Sequence, residues 1–151
     1  MRSAARSAAR RQPGRVDQVD VGVPGRVAQH RDDDADRAVN CALAMQAAMV
    51  DLNVLNEAEG FAAIHTGIAI NTGDVIAGNI GSARRSKYGF VGHPMNVTSR
   101  IEDITRRGEI LISDSTLNSL KGDFIVGRSE TINVKGIDET IVVHQIVTEN
   151  V

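Results

Sequence analysis

The feature that most limits how this chain can fold is a change of composition at Asp32. Residues 1–31 hold seven arginines, no lysine and two acids, and their large apolar residues are Met1 and five valines, with no Leu, Ile or Phe. So little apolar surface cannot offset the entropy of ordering a chain, and disorder is the expectation there. Val19, Val21 and Val23 alternate and allow a weak edge strand at most. The acid-poor start MRSAARSAARR has the composition of a targeting segment or of a solvated basic tail. Arg, Ala, Gly, Val, Pro and Asp are also what GC-rich DNA encodes in any frame, so a translated wrong frame is a third reading. After Asp32, Leu, Ile, Met and Phe recur at regular spacings between turn residues, and a core-forming domain is expected over residues 32–151.

With 42% apolar and 24% charged residues, a chain of 151 residues suits one compact domain. A net charge of -2 excludes a global pull toward nucleic acid or anionic membrane, which needs clustered, unbalanced Lys and Arg. Cys41 is the sole cysteine, so neither an intrachain disulfide nor a cysteine-rich metal site can form; within its apolar run, burial is expected. No window is expected to serve as a membrane span of roughly 20 apolar residues, and a cytoplasmic location follows as the expectation.

Between Asp33 and Asn56, Ala38, Ala42, Met45, Met49 and Leu52 recur at four- and three-residue steps, which predicts an amphipathic helix. Val39, Leu43 and Val50 widen its stripe, so it should lie against a sheet. FAAIHTGIAI alternates and predicts a strand over 61–70. Asn71 to Asp74 then supply turn chemistry, with Gly73 suited to positive φ, and VIAGNIG predicts the second strand of a hairpin. Gly67 and Gly78 inside these strands suggest close approach of another backbone or a ligand. Their spacing matches neither of the common phosphate-cradling glycine loops. KYGFVG predicts a strand, Asn96 to Arg106 a second helix, EILIS a strand and Asp114 to Leu120 a short helix; FIVG with ETINV, and TIVVHQIV, complete the strands. Strands alternating with helices predict a mixed α/β sandwich.

The blocks IHTGIAINTGDVIAGNIGS, KYGFVGHPMNVTSRIE, GEILISDSTLNSL and NVKG, in this order, resemble the C-terminal part of class III adenylate/guanylate cyclase catalytic domains, and DDDADRAVNCALAMQAA resembles the helix preceding the first block. The resemblance implies an α/β (α+β) fold, a ferredoxin-like sandwich incomplete at its N-terminus. The activity it implies is conversion of ATP or GTP to a 3′,5′-cyclic nucleotide and pyrophosphate, in sites assembled between two domains. It also implies two divalent ions, Mg²⁺ or Mn²⁺, held by two aspartates: one on the opening strand of the family and one in a Gly-Asp hairpin. Neither element is recognisable in residues 1–31. The acids at 32, 33, 34 and 36 instead suit the dipole of a helix start. A chain without those aspartates is expected to be inactive alone and unable to hold the ions.

NVTSR places Asn96 and Arg100 one helical turn apart, so both leave the same face. By resemblance Asn96 orients the ribose and Arg100 stabilises charge developing on the α-phosphate, which its permanently ionised fork of donors suits. Lys135 in NVKG matches a lysine that contacts the triphosphate. Gly89 matches a position where relatives often place a purine-reading side chain, which leaves ATP against GTP open. His65 and His93 lack a carboxylate partner in the local sequence and are expected to be structural or exposed. The partners this implies are a homodimer or a complete cyclase domain. Two further readings stay open: a regulatory module docking on such a domain, and an α/β scaffold whose basic tail binds an acidic partner.

Overall fold

The computed structural model describes residues 15–18, 31–82, 85–133 and 140–147. In chain order the elements are β1 (Arg15–Gln18), α1 (Asp34–Ala58), β2 (Ile68–Asp74), β3 (Ile76–Ser82), β4 (Arg85–Val91), α2 (His93–Ile104), β5 (Ile110–Ser113), α3 (Asp114–Leu117), β6 (Val126–Asn133) and β7 (Thr140–Ile146). A mixed four-stranded sheet runs in the order β2-β5-β7-β6, parallel between β2 and β5 and antiparallel elsewhere. β1 lies antiparallel along the outer edge of β2, and β3 pairs with β4 as a separate hairpin.

Alternation along β5 divides the core. Ile110 and Ile112 face α1 and join Ala38, Val39, Ala42, Ile70 and Ile146 in one cluster. Leu111, between them, faces α2 and packs with Val97, Ile101 and Val143. Helices therefore cover both faces of the sheet, as a central, doubly covered strand requires.

The α/β class and most elements agree with expectation, but the region around β2 differs. Residues 61–67 are not a strand, and the four expected turn residues, Asn71 to Asp74, are the second half of β2. The side chains of Asn71 and Thr72 are buried, and tertiary partners satisfy this stretch. Asn71 Nδ2 donates to the Pro94 carbonyl at 3.0 Å, Thr72 Oγ1 donates to Thr116 Oγ1 at 3.1 Å, and Ser115 Oγ donates to the Thr72 carbonyl at 2.8 Å. Consequently β2 and β3 form no hairpin with each other. Among the described residues positive φ occurs at Gly60, Gly92 and Gly108 rather than at Gly73. What Gly73 provides is contact, since a Cβ there would stand 2.5 Å from Pro94 Cγ. Gly67 does meet another backbone, the Arg106 carbonyl lying 2.8 Å from where its Cβ would be, whereas Gly78 faces open space. The helices predicted over 96–106 and 114–120 are displaced to 93–104 and shortened to 114–117.

The long helix also departs from expectation. Its first half buries Ala35, Ala38, Val39, Ala42 and Gln46, but Met45, Val50 and Leu52 are exposed beyond the sheet, and so is Cys41. At 25 residues α1 is long and apolar enough to cross a membrane by length and composition, contrary to expectation. Its packing is that of a core helix, because its buried stripe is seated on β2, β5 and β7. Two amides fix the chain that returns from it. Asn53 donates to the Ile64 carbonyl at 2.8 Å and accepts from the Ile64 N–H at 2.7 Å, while Gln46 Nε2 donates to the Thr66 carbonyl at 2.9 Å. Ile64 and Thr66 thus spend backbone groups on these side chains, and the Phe61 N–H donates to the Asn56 carbonyl. The alternating valines at 19, 21 and 23 lie outside the described residues, and a short strand occurs at Arg15–Gln18 within the stretch expected to be disordered.

Candidate functional site

α2 begins directly after β4, with Gly92 at its N-cap and Pro94 in its first turn, where a missing N–H removes no helical bond. The Pro94 carbonyl accepts from Asn71 Nδ2 and from Thr98 Oγ1, at 3.0 and 2.8 Å, and its ring lies against Gly73. This seat on β2 fixes the start of the helix. Val97 and Ile101 then turn toward the sheet and are buried. Asn96 and Arg100, one turn apart, are left exposed on the remaining surface, as the sequence pattern implies. Arg100 is held within its own helix, its Nη1 standing 3.0 Å from Asp103 Oδ2 with both side chains about half exposed. Such a pair is weak, so the guanidinium can turn to another anion at little cost.

Gly89 lies in β4 opposite Gly78 of β3, so two residues without side chains face each other across the hairpin. Lys135 lies outside the described residues. The structure therefore brings Asn96 and Arg100 together and places Gly89 on the strand leading into their helix. His65 is exposed in the segment before β2, and His93 is exposed at the first position of α2.

His144 has polar neighbours at both ring nitrogens. Its Nδ1 lies 2.8 Å from Ser129 Oγ across the β6–β7 pair, and its Nε2 lies 3.1 Å from Asp114 Oδ1 at the start of α3. Neither described cavity is lined by these three residues, and their evident effect is to tie α3 to β6 and β7. A second polar tie is Glu109, buried beneath Arg128. Glu109 Oε1 accepts from Arg128 Nη2 at 2.7 Å and Nε at 3.0 Å, and Oε2 accepts from the Arg106 N–H at 2.9 Å. These bonds to the carboxylate, chiefly the side-chain bond to Glu109, raise the Arg128 guanidinium above its already high ordinary value.

The sequence pattern of the adenylate and guanylate cyclase catalytic domain family matches residues 19–148. The chain belongs to this family. It is 41% identical over 69 residues to an adenylate cyclase of Mycobacterium tuberculosis, a match covering 46% of this chain and 15% of that enzyme. Among solved structures it resembles the guanylyl cyclase Cya2, at 39% identity and a TM-score of 0.73, covering 83% of this chain and 61% of that one. It also resembles the adenylyl cyclase CyaB from P. aeruginosa, at 32% identity and a TM-score of 0.71, covering 81% of this chain and 63% of that one. The cyclase domain thus spans less than two thirds of these solved chains and a small part of the longer relative.

The family generally uses Mg²⁺ or Mn²⁺. Among the described residues of this cyclase domain, no group of three or more His, Cys, Asp or Glu side chains is placed to hold such an ion. The acids at the start of α1 are engaged elsewhere: Asp34 Oδ2 accepts from the Arg31 N–H at 2.7 Å, and Asp36 accepts from the N–H groups of Lys121 and Gly122.

Proposed function

We propose that this chain is a nucleotide cyclase domain that is inactive alone and carries the nucleotide-orienting half of the site. The observation that supports this reading is the pair Asn96 and Arg100, exposed at successive turns of a helix whose start is anchored through Pro94. In this reading Asn96 positions the ribose of ATP or GTP, Arg100 takes charge as it develops on the α-phosphate, and Lys135 meets the triphosphate. Arg100 and Lys135 would bring positive charge and Asn96 a polar amide to the place where negative charge develops, which is how such a site stabilises its transition state. With no divalent-ion donor set among the described residues, the ions and the activation of the 3′ hydroxyl come from a second, complete cyclase domain. A second copy of this chain would supply the Asn/Arg half again.

The half-exposed Arg100 also favours a regulatory version of the same association, in which the chain occupies the partner's dimer surface without contributing to turnover. One experiment separates these outcomes. Purified chain is incubated with Mn²⁺ and ATP or GTP, alone and with a complete cyclase domain whose own Asn/Arg pair has been replaced, and cyclic nucleotide is measured. No product alone, activity on mixing, and a loss of about 10²-fold or more on Arg100→Ala are expected, the size seen when one preorganised charge-stabilising donor is removed. Robust turnover by the chain alone would overturn the reading. A change in partner activity that is indifferent to Arg100→Ala would support the regulatory version.

A further inference from the structure

The second half of α1 borders an open groove of about 1030 Å³ on the face of the sheet opposite α2. It runs beside the helix from Leu43 to Glu57, four turns or about 21 Å at 1.5 Å per residue. Its far wall comes from residues 123–125 and the end of β7. The walls are apolar yet open to solvent: Val50, Val54, Ile64 and Ile125 are 64%, 63%, 49% and 54% exposed. Exposed apolar surface gathered in one concave strip is what a partner covers, whereas isolated exposed residues carry no such meaning.

The charge around the strip has one sign. Asp51 and Glu57 border it from α1 and Asp123 from the opposite wall. No lysine or arginine lines it, and among the described residues none of the three acids has an ion-pair partner. The nearby Arg106 and Arg107 open instead into a separate pocket with Arg128. The groove also has a fixed shape, because Asn53 holds Ile64 through two hydrogen bonds and the Val147 N–H donates to the Ile125 carbonyl at 2.9 Å. That last bond also engages the far wall's backbone, so an incoming strand finds little to pair with.

We infer that this groove docks an amphipathic helix of about four turns from a partner protein, with an apolar face at i, i+3, i+4 and i+7 and basic residues on both flanks. The apolar anchors rest on Val50, Val54, Ile64 and Ile125. The flanking Lys or Arg side chains meet Asp51 and Glu57 on one side and Asp123 on the other. This is recognition of a helix by a groove, with charge selecting among partners and apolar contact supplying affinity. It lies on the other side of the sheet from Asn96 and Arg100 and does not depend on nucleotide chemistry.

The test uses the full chain and two fluorescent synthetic helices of 14 residues, one of Leu and Lys and one with every Lys replaced by Glu, measured by anisotropy. The Leu/Lys helix is expected to bind, and the Leu/Glu helix to bind about tenfold more weakly or not at all. Neutralising the rim together, Asp51→Asn with Glu57→Gln and Asp123→Asn, should weaken the Leu/Lys helix about tenfold and flatten its salt dependence. Val50→Gln with Val54→Gln should weaken it at every salt concentration. All these positions are exposed, and unchanged circular dichroism confirms that each variant folds. Absence of binding, equal binding of the two helices, or binding indifferent to Val50→Gln with Val54→Gln would each overturn the inference.

Discussion

Replacing Gly73 by alanine tests how α2 is fixed to the sheet. The new Cβ would stand 2.5 Å from Pro94 Cγ and 2.9 Å from Pro94 Cβ, where carbon atoms ordinarily rest about 3.5–4.0 Å apart. The ring cannot swing aside, because a proline side chain is closed on its own backbone. The Pro94 carbonyl is held in addition by Asn71 and Thr98. Either β2 or the first turn of α2 must therefore move by about 1 Å. Overpacking of this kind costs about 1–3 kcal/mol. Replacing glycine returns about 0.4–1 kcal/mol by reducing the freedom of the unfolded chain, which leaves a net loss of about 1–2 kcal/mol. With a urea slope of about 1–3 kcal/mol/M, the unfolding midpoint followed by far-ultraviolet circular dichroism should fall by roughly 1 M with the slope unchanged. Pro94→Ala removes Cγ but leaves Cβ, so the double variant should recover part of the loss, giving a coupling of about 0.5–1.5 kcal/mol. A neutral or stabilising Gly73→Ala, or strict additivity with Pro94→Ala, would refute the idea that this contact seats the helix.

Ile112→Ala, at a residue fully buried between α1 and the sheet, should cost about 2–5 kcal/mol in the same urea assay. Arg128→Met should lower the midpoint by leaving the Glu109 carboxylate buried without its charge partner, and adding Glu109→Gln should restore part of the loss. A raised folded value for arginine means that its contribution is fully present below the unfolded value and disappears only as pH rises through the folded one. The Arg128→Met penalty should therefore be flat from roughly pH 6 to 9. Leu52 and Leu55 are 41% and 63% exposed on α1 away from the groove, so the wild-type chain should self-associate as its concentration rises. Leu52→Lys with Leu55→Lys should reduce that association in sedimentation velocity without changing the unfolding free energy by more than about 0.5 kcal/mol.

What was legible in the sequence is what local spacing determines. Asn96 and Arg100 share a face because a four-residue interval on a helix means one face whatever the helix packs against, and that helix is present with both residues exposed; their assignment to nucleotide rests on the family motif and not on the spacing. The two faces of β5 follow in the same way from Ile110, Leu111 and Ile112, since neighbours on a strand must point apart. The differences around β2 and at His144 each required a partner distant in sequence. Asn-Thr-Gly-Asp is turn chemistry only while Asn71 and Thr72 lack other bonds, and Pro94, Ser115 and Thr116 supply those bonds from 23 to 44 residues away. The alternation over 61–67 has no strand beside it, and Gln46 and Asn53 instead bond the Thr66 carbonyl and the Ile64 N–H and carbonyl. His144 was passed over for the same reason: the acid beside it, Asp114, is 30 residues away and arrives only when β5 pairs with β7. The amides on α1 connect these points. Polar residues on the stripe of a core helix read as flaws in an amphipathic pattern, yet here they hold the segment that forms one wall of the groove. A search for such interruptions, asking which backbone an Asn or Gln could satisfy, would have located that wall where a count of apolar residues did not.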